Sequence, residues 1–350
     1  MEDHEKFMNR CLELSGHGLG LVYPNPMVGA VVVCNNKIIG EGWHQKAGSP
    51  HAEVNAIHAV RDKGLLQRST IYVNLEPCSH HGRTPPCADL ILKSGIPRVV
   101  VGSLDPNPIV SGRGVKRLKD NGVEVISGVL RQECEEINKR FYTFHKKKRP
   151  YVILKWAQSK DGFIFPDAEN IKKGSPVWIT NEYSRQIVHQ WRTEEASILV
   201  GRKTVEQDNP QLNSRDFKGS QIYRIIIDPE LRLKGDLNIF DSSCPTLVFN
   251  SRRDDLENNI EFCKLDSEKD VTEQILKVLY IKGIQSLIVE GGSVTLNSFI
   301  ESGFWDEARV FVGNSVFLNG IKAPDFKGKL QARSEIGKDI LYMYKKMIDG

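Results

Sequence analysis

The sequence predicts an α/β protein of two domains. Strand and helix patterns alternate over the first 145 residues, as a sheet covered by helices requires. The alternation restarts after a basic run that ends in proline, "HKKKRP" at 145–150. At 350 residues the chain is long enough to bury two cores. The expected division is a first domain over 1–145, a linker over 146–150 and a second domain over 151–350.

In the first half, "GAVVVCNNKIIGEGWH" from Gly29 reads as a hairpin turning on Asn35-Asn36. "SPHAEVNAIHA" from Ser49 opens a helix, with Ser49 as the cap, Pro50 in the first position and Ala52, Ile57 and Ala59 on the buried face. "STIYVNLEP" is a buried strand, "CADLILKSG" a short helix stopped by Gly95, and "RVVVGSLDP" a strand. "GRGVKRLKDNG" and "VEVISGVL" add a helix and a strand, and "QECEEINKRFYTFHKK" closes the domain as one amphipathic helix. This βαβ rhythm predicts a mainly parallel sheet. In the second half, "YVILKWAQS", "SILVG", "YRIIIDP", "PTLVFN", "SLIVEGG" and "EARVFVGNSVF" are strands. "TNEYSRQIVHQWRTEEA", capped by Thr180 or Asn181, "DVTEQILKVLYIKG" and "VTLNSFIESG" are helices. No internal repeat is visible.

Composition is that of an ordinary globular chain, with 40% hydrophobic and 26% charged residues. A net charge of +4 suits anionic small molecules and falls short of a nucleic-acid footprint. The basic run at 145–150 has no interleaved aromatics to stack bases, so it reads as a solvated linker. There is no signal-peptide core and no apolar run of membrane-spanning length, and the seven cysteines are odd in number and scattered. A cytoplasmic enzyme, without membrane or nucleic-acid partners, is expected.

The chemistry begins at His51 and Glu53, two positions apart at a helix mouth, where both side chains can lean toward a shared ligand. Cys78 follows a strand directly, and Cys87 stands where the next helix begins, a place that favours the thiolate a metal needs. One imidazole and two thiolates balance the charge of Zn²⁺ and leave its fourth tetrahedral position open, as in a catalytic site, where bound water is acidified to a pKa of roughly 7. Glu53 is then free to move protons to a leaving amine. This is the His-x-Glu … Pro-Cys signature of zinc-dependent nucleobase deaminases. The competing explanation is a pair of core cysteines beside a capping histidine. Eight residues, "SHHGRTPP", separate Cys78 from Cys87 where the commoner spacing is two, and His80 and His81 in that insert read as loop or substrate residues rather than ligands.

"YPNPMVGAVVV", "GEGWHQKAGSPHAE", "LEPCSHHGRTPPCADLI" and "DPNPIVSGRG" resemble the bacterial bifunctional riboflavin-biosynthesis deaminase–reductases, and the resemblance runs through essentially the whole chain. It implies an N-terminal cytidine-deaminase-like αβα sandwich with one zinc ion per chain. The implied reaction is deamination of 2,5-diamino-6-ribosylamino-4(3H)-pyrimidinone 5′-phosphate. By position Asn25, His44, Arg83, Asp105 and Asn107 would line that pocket.

The second half has neither a G-x-G-x-x-G after a strand nor a Walker A motif. "SLIVEGGSVTLNSF" offers instead a Gly-Gly turn into a helix, whose N–H groups at Gly292, Ser293 and Val294 could cradle a phosphate. The resemblance implies a dihydrofolate-reductase-like α/β domain that uses NADPH to reduce the ribosyl group to ribityl. Cofactor contacts would be Ala157, Trp178, Thr204 and Asp208, with Gly292, Ser293, Val294, Thr295, Leu296, Asn297 and Ser298. Substrate contacts would be Arg192, Leu212, Arg215 and Glu290. Arg192 shares a helix face with Arg185 and His189, and reads either as a solvated basic face or as a fork for the 5′-phosphate. No acid–base candidate for the hydride step stands out. Lys160 replaces an apolar residue of the family pattern, "GNSVFLNG" departs from it, and Pro176 stands where a substrate serine is expected, with Ser175 one position earlier. A homo-oligomer is expected. The alternatives are a nucleoside or tRNA deaminase with an accessory domain, and a zinc-stabilised binding module.

Overall fold

Valine-rich strands and short helices build the first half around one sheet. The computed structural model describes residues 4–79, 85–108, 110–167, 176–213 and 222–347. The chain divides into two compact units, Met1–Lys148 and Arg149–Gly350. Unit 1 runs α1 His4–Gly16, β1 Gly29–Cys34, β2 Lys37–Trp43, α2 Ala52–Ala59, β3 Thr70–Leu75, α3 Cys87–Lys93, β4 Arg98–Ser103, α4 Arg113–Asp120, β5 Glu124–Ser127, α5 Arg131–Ile137 and α6 Lys139–Lys147. Its sheet has the order β2-β1-β3-β4-β5.

That sheet is mixed, not mainly parallel. β1 pairs antiparallel with both β2 and β3, and only β3, β4 and β5 are mutually parallel neighbours. The cause is the hairpin: Asn35 and Asn36 take positive φ, and a two-residue turn can join only antiparallel strands. Alternation along the strands then serves two faces. Ala30, Val32, Ile71, Val73, Val99 and Val101 pack with α2, α3 and α4. Val31, Val33, Tyr72 and Val100 pack with α1 and with Cys134 of α5. This is an αβα sandwich.

The closing helix is two helices. Asn138 breaks it because its buried side chain is committed elsewhere: Oδ1 accepts from Met27 N at 2.8 Å and Nδ2 donates to Met27 O at 2.9 Å. Asn138→Leu would orphan the Met27 amide and cost about 1–3 kcal/mol. The expected result is a lower thermal midpoint with faster hydrogen exchange at Met27; unchanged protection there would refute the assignment. Of the segment expected as a linker, Lys146 and Lys147 complete the last turn of α6, and Arg149 is paired with Asp306 inside unit 2.

Unit 2 runs β6 Tyr151–Gln158, β7 Phe163–Pro166, α7 Glu182–Glu194, β8 Ser197–Gly201, α8 Arg202–Asp208, β9 Tyr223–Ile227, β10 Thr246–Asn250, β11 Asp255–Glu257, β12 Ile260–Lys264, α9 Val271–Ile281, β13 Ser286–Val289, α10 Ser293–Glu301, β14 Glu307–Val312, β15 Gly320–Lys322, β16 Gly328–Ile336 and β17 Asp339–Lys346. The main sheet has the order β11-β12-β10-β9-β8-β13-β6-β14-β17-β16. Its seven strands from β12 to β14 are parallel, and β11, β17 and β16 are antiparallel additions at the two edges. α9 and α10 cover one face through Ile275, Leu276, Leu279, Leu296 and Phe299, and α7 and α8 cover the other through Val188, Trp191 and Val205. Asn181, not Thr180, caps α7 by accepting from Ser184 N. The β16–β17 hairpin and the short β7–β15 pair had no counterpart in the sequence reading. β16 is exposed along nearly its whole length, and its pairing with β17 slips at Gln331. Among the described residues no helix is long and apolar enough to cross a membrane.

Candidate functional site

In unit 1 three strand and helix ends meet. His51 is the N-cap residue of α2, but its side chain makes no capping bond. Ser49 does not cap either; it closes a tight turn with Lys46, donating to Lys46 O at 2.7 Å. The imidazole is thereby left to face the two thiols. Its Nδ1 lies 3.3 Å from Cys87 Sγ and 3.6 Å from Cys78 Sγ, and the donor atoms of the three residues all fall within 4.8 Å of one another. Cys78 follows the end of β3 and Cys87 is the first residue of α3, whose backbone N–H donates to Cys78 Sγ at 3.3 Å.

This arrangement makes Cys78 the more acidic thiol. The Cys87 thiol and the His51 ring hold its pKa down against burial, and the same shared proton together with burial pushes Cys87 up. Glu53, on the first turn of α2, is 3% exposed, and burial followed by the nearby Cys78 raises its carboxyl to about 7. Two soft sulfurs and one imidazole nitrogen at this spacing, with a carboxylate beside them, fit a tetrahedral metal ion with one position left for a reactant.

Asn25 and His44 stand at the same end of the sheet. Asn25 Nδ2 donates to His44 Nε2 at 3.0 Å, so the ring proton lies on Nδ1, which donates to Pro50 O at 3.1 Å. Burial lowers the His44 pKa, and a neutral ring of fixed tautomer results. Asp105 Oδ1 accepts from Asn107 N at 2.7 Å, and Asn107 lines, with Ser79, Arg113, Lys116 and Arg117, a cleft of about 740 Å³ beside α4 that is not lined by His51, Glu53, Cys78 or Cys87. Arg83, His80 and His81 lie outside the described residues, as do Ser175 and Arg215 of the second half.

In unit 2 the expected residues gather at the carboxyl ends of the parallel neighbours β6, β13 and β8, where open α/β sheets bind ligands. Ala157 is near the end of β6, Thr204 and Asp208 are on the helix after β8, and Glu290 leads from β13 into the Gly-Gly turn. A side chain at Gly201 would come within 2.6 Å of Thr295 Oγ1, and one at Gly292 within 3.5 Å of Thr204 Oγ1, so the two turns approach through glycine. Burial raises the Asp208 carboxyl to about 6. Trp178 is exposed, with the Arg185 guanidinium 4.4 Å above its ring. Leu212 and Leu296 turn their side chains into the core, so any ligand contact there is through backbone. Val294 is exposed.

Glu290 is the centre of a buried charge cluster. Arg192 Nη2 donates to its Oε2 at 3.0 Å, and Lys155 Nζ lies 3.7 Å from the same oxygen. Burial alone would raise the Glu290 pKa; the Arg192 and Lys155 charges outweigh it and hold the carboxylate low. Burial lowers the Lys155 pKa, with Glu290 opposing. Among the described residues Glu290 Oε1, Arg192 Nε and Asn213 Oδ1 are buried without hydrogen-bond partners, so the cluster keeps capacity for a polar ligand. Arg192 is not a solvated face: its side chain is 11% exposed, and its Nη1 also donates to Asn213 O at 3.3 Å. Lys155 was not singled out from sequence, although a lysine inside the apolar run "YVILKWAQ" is the signal that marks it. Alternation places it on the face opposite Leu154 and Trp156.

Residues 1–103 match the family model of the cytidine and deoxycytidylate deaminase zinc-binding region, and residues 150–329 match that of the RibD C-terminal domain. The chain therefore joins a deaminase of the zinc-binding class to a reductase domain. The riboflavin biosynthesis protein RibD of Aquifex aeolicus is 39% identical over 99% of both chains, and that of Escherichia coli is 34% identical over 89% of this chain and 88% of its own. A crystal structure from Thermotoga maritima, named a diaminohydroxyphosphoribosylaminopyrimidine deaminase/5-amino-6-(5-phosphoribosylamino)uracil reductase, superposes with a TM-score of 0.88 at 38% identity, covering 98% of this chain and 99% of that one. The chain belongs to the RibD family of bifunctional deaminase–reductases of riboflavin biosynthesis. The reductase match over the second half removes the reading of that half as a generic accessory domain.

Proposed function

We propose that unit 1 deaminates 2,5-diamino-6-ribosylamino-4(3H)-pyrimidinone 5′-phosphate and that unit 2 reduces the ribosyl group of the product with NADPH. The observation that carries the first step is the His51–Cys78–Cys87 donor set beside a buried Glu53. A zinc ion held by those three residues supplies Lewis acidity toward water. Glu53, with a carboxyl near neutrality, takes up a proton at its oxygen and releases it to the departing amino group. Neutral His44 and Asn25, held rigidly by their hydrogen bonds, orient the ring, with Asp105 and Asn107 on the opposite loop. The nucleophile and leaving group differ by one exchange: water oxygen enters as ammonia leaves.

In unit 2 NADPH supplies the hydride. Thr204 and the start of α10 with its cap, Gly292 to Ser298, would hold its phosphates, with Ala157, Trp178 and Asp208 around the rest. Glu290 Oε1 offers an acceptor to a sugar hydroxyl, Arg192 holds the carboxylate in place, and the buried Lys155 ammonium holds the proton that hydride addition to the opened sugar requires. A cytoplasmic, homo-oligomeric enzyme is the setting this reading favours.

The test is to supply the diaminopyrimidinone ribotide with and without NADPH and identify the products by mass. Without NADPH the product should have oxygen in place of one amino group, and with it two further hydrogens. Retention of both amino groups would discard the proposal. Chelation gives a second prediction: ammonia release should stop, while NADPH oxidation on separately prepared deaminated ribotide continues.

A further inference from the structure

Glu76 is buried, 5% exposed, and no cation is paired with it among the described residues. Its carboxylate is satisfied wholly by backbone. Oε2 accepts from Asp105 N at 3.2 Å and Gly112 N at 2.8 Å, and Oε1 accepts from Gly114 N at 2.9 Å and Val115 N at 3.2 Å. Those donors lie at the two ends of the loop from Asp105 to Gly112, so a single carboxylate ties the base of that loop shut. Gly112 is the N-cap residue of α4 and makes no side-chain cap. Glu76 therefore performs the capping from another strand end and occupies the anion position at the helix N-terminus. Gly114 is pressed against the same corner: a side chain there would come within 1.9 Å of Pro77 O. Pro77 leads directly to Cys78, so the corner that holds the loop adjoins a residue of the metal trio.

We propose that Glu76 is a positioning residue for the deaminase reaction: it fixes the loop carrying Asp105 and Asn107 to the strand end that leads through Pro77 to Cys78, and so sets where Asn107 meets the pyrimidine ribotide. The inference rests on the assignment of Asn107 to the substrate pocket. It differs from a stability role because the loop, not the metal trio, is what Glu76 holds.

Glu76→Gln keeps the shape but turns an NH₂ group toward two backbone donors. The expected result is a deaminase KM raised about tenfold or more, since small misplacements of positioning groups are costly. kcat, zinc content and reductase activity should stay near those of the parent chain. The double variant Glu76→Gln/Asn107→Ala should have a KM no higher than Asn107→Ala alone, because both act through one contact. Gly112→Ala covers the case in which Glu76→Gln does not fold: it strains the same anchor at φ +76° while meeting no neighbour within 4 Å, and should also raise KM. An unchanged KM with lower kcat or lost zinc, or additive effects in the double variant, would overturn the inference. If Asn107→Ala alone leaves KM unaltered, the assignment of Asn107 to the pocket fails and the inference falls with it; a raised KM in Asn107→Ala with an unchanged one in Glu76→Gln overturns the inference alone.

Discussion

Replacing Glu53 with glutamine should lower ammonia release by about 10²–10⁴-fold, the range expected when a positioned proton carrier is removed. The amide is nearly isosteric, so the helix turn and the neighbouring thiols keep their places. Glu53 is buried, with a carboxyl raised to about 7, which lets it both accept and give up a proton near neutral pH. Glutamine can do neither. Zinc content should stay that of the parent chain, because the donor atoms belong to His51, Cys78 and Cys87. Reduction of separately supplied deaminated ribotide should be untouched. Ammonia release at the parent rate, with zinc bound, would remove Glu53 from the chemistry.

Glu290→Gln should damage unit 2 in two measurable ways. It leaves Arg192 and Lys155 buried beside a neutral group, and breaking a buried ion pair at one partner costs about 3–5 kcal/mol. Thermal unfolding of the full chain should therefore show an earlier transition. NADPH oxidation should fall by about 10²-fold, the scale of a misplaced binding group. Adding Lys155→Met to Glu290→Gln should recover part of the stability by removing one stranded charge, yet recover none of the turnover. Full NADPH oxidation in Glu290→Gln would show that the cluster is architectural.

The metal trio was readable because it depends on residue type and on strand or helix ends, both visible in the chain. His51, Cys78 and Cys87 meet as their positions suggested. What the sequence concealed were partnerships formed across the fold. Asn138 looks like any helix residue until its side chain is found on Met27, and that contact divides the expected helix. Ser49 has the right chemistry for a cap, but a competing turn at Lys46 claims its hydroxyl. Arg192 read equally well as surface or as phosphate fork; only the return of Glu290 from a distant strand decides its partner. Leu212 and Leu296 were expected as ligand contacts, yet their side chains lie in the core, and that direction is set by packing that neighbouring letters do not encode.

The last strand of the large sheet has a consequence for how the chain keeps company with its neighbours. β16 leaves one row of peptide groups open to water, the kind of rim onto which stray polypeptide can add. Lys329, Arg333 and Glu335 stud that rim with charge, and the slip at Gln331 breaks its regular spacing. A chain stripped of those three charges should associate through the sheet margin at a lower concentration than its parent, which light scattering would show.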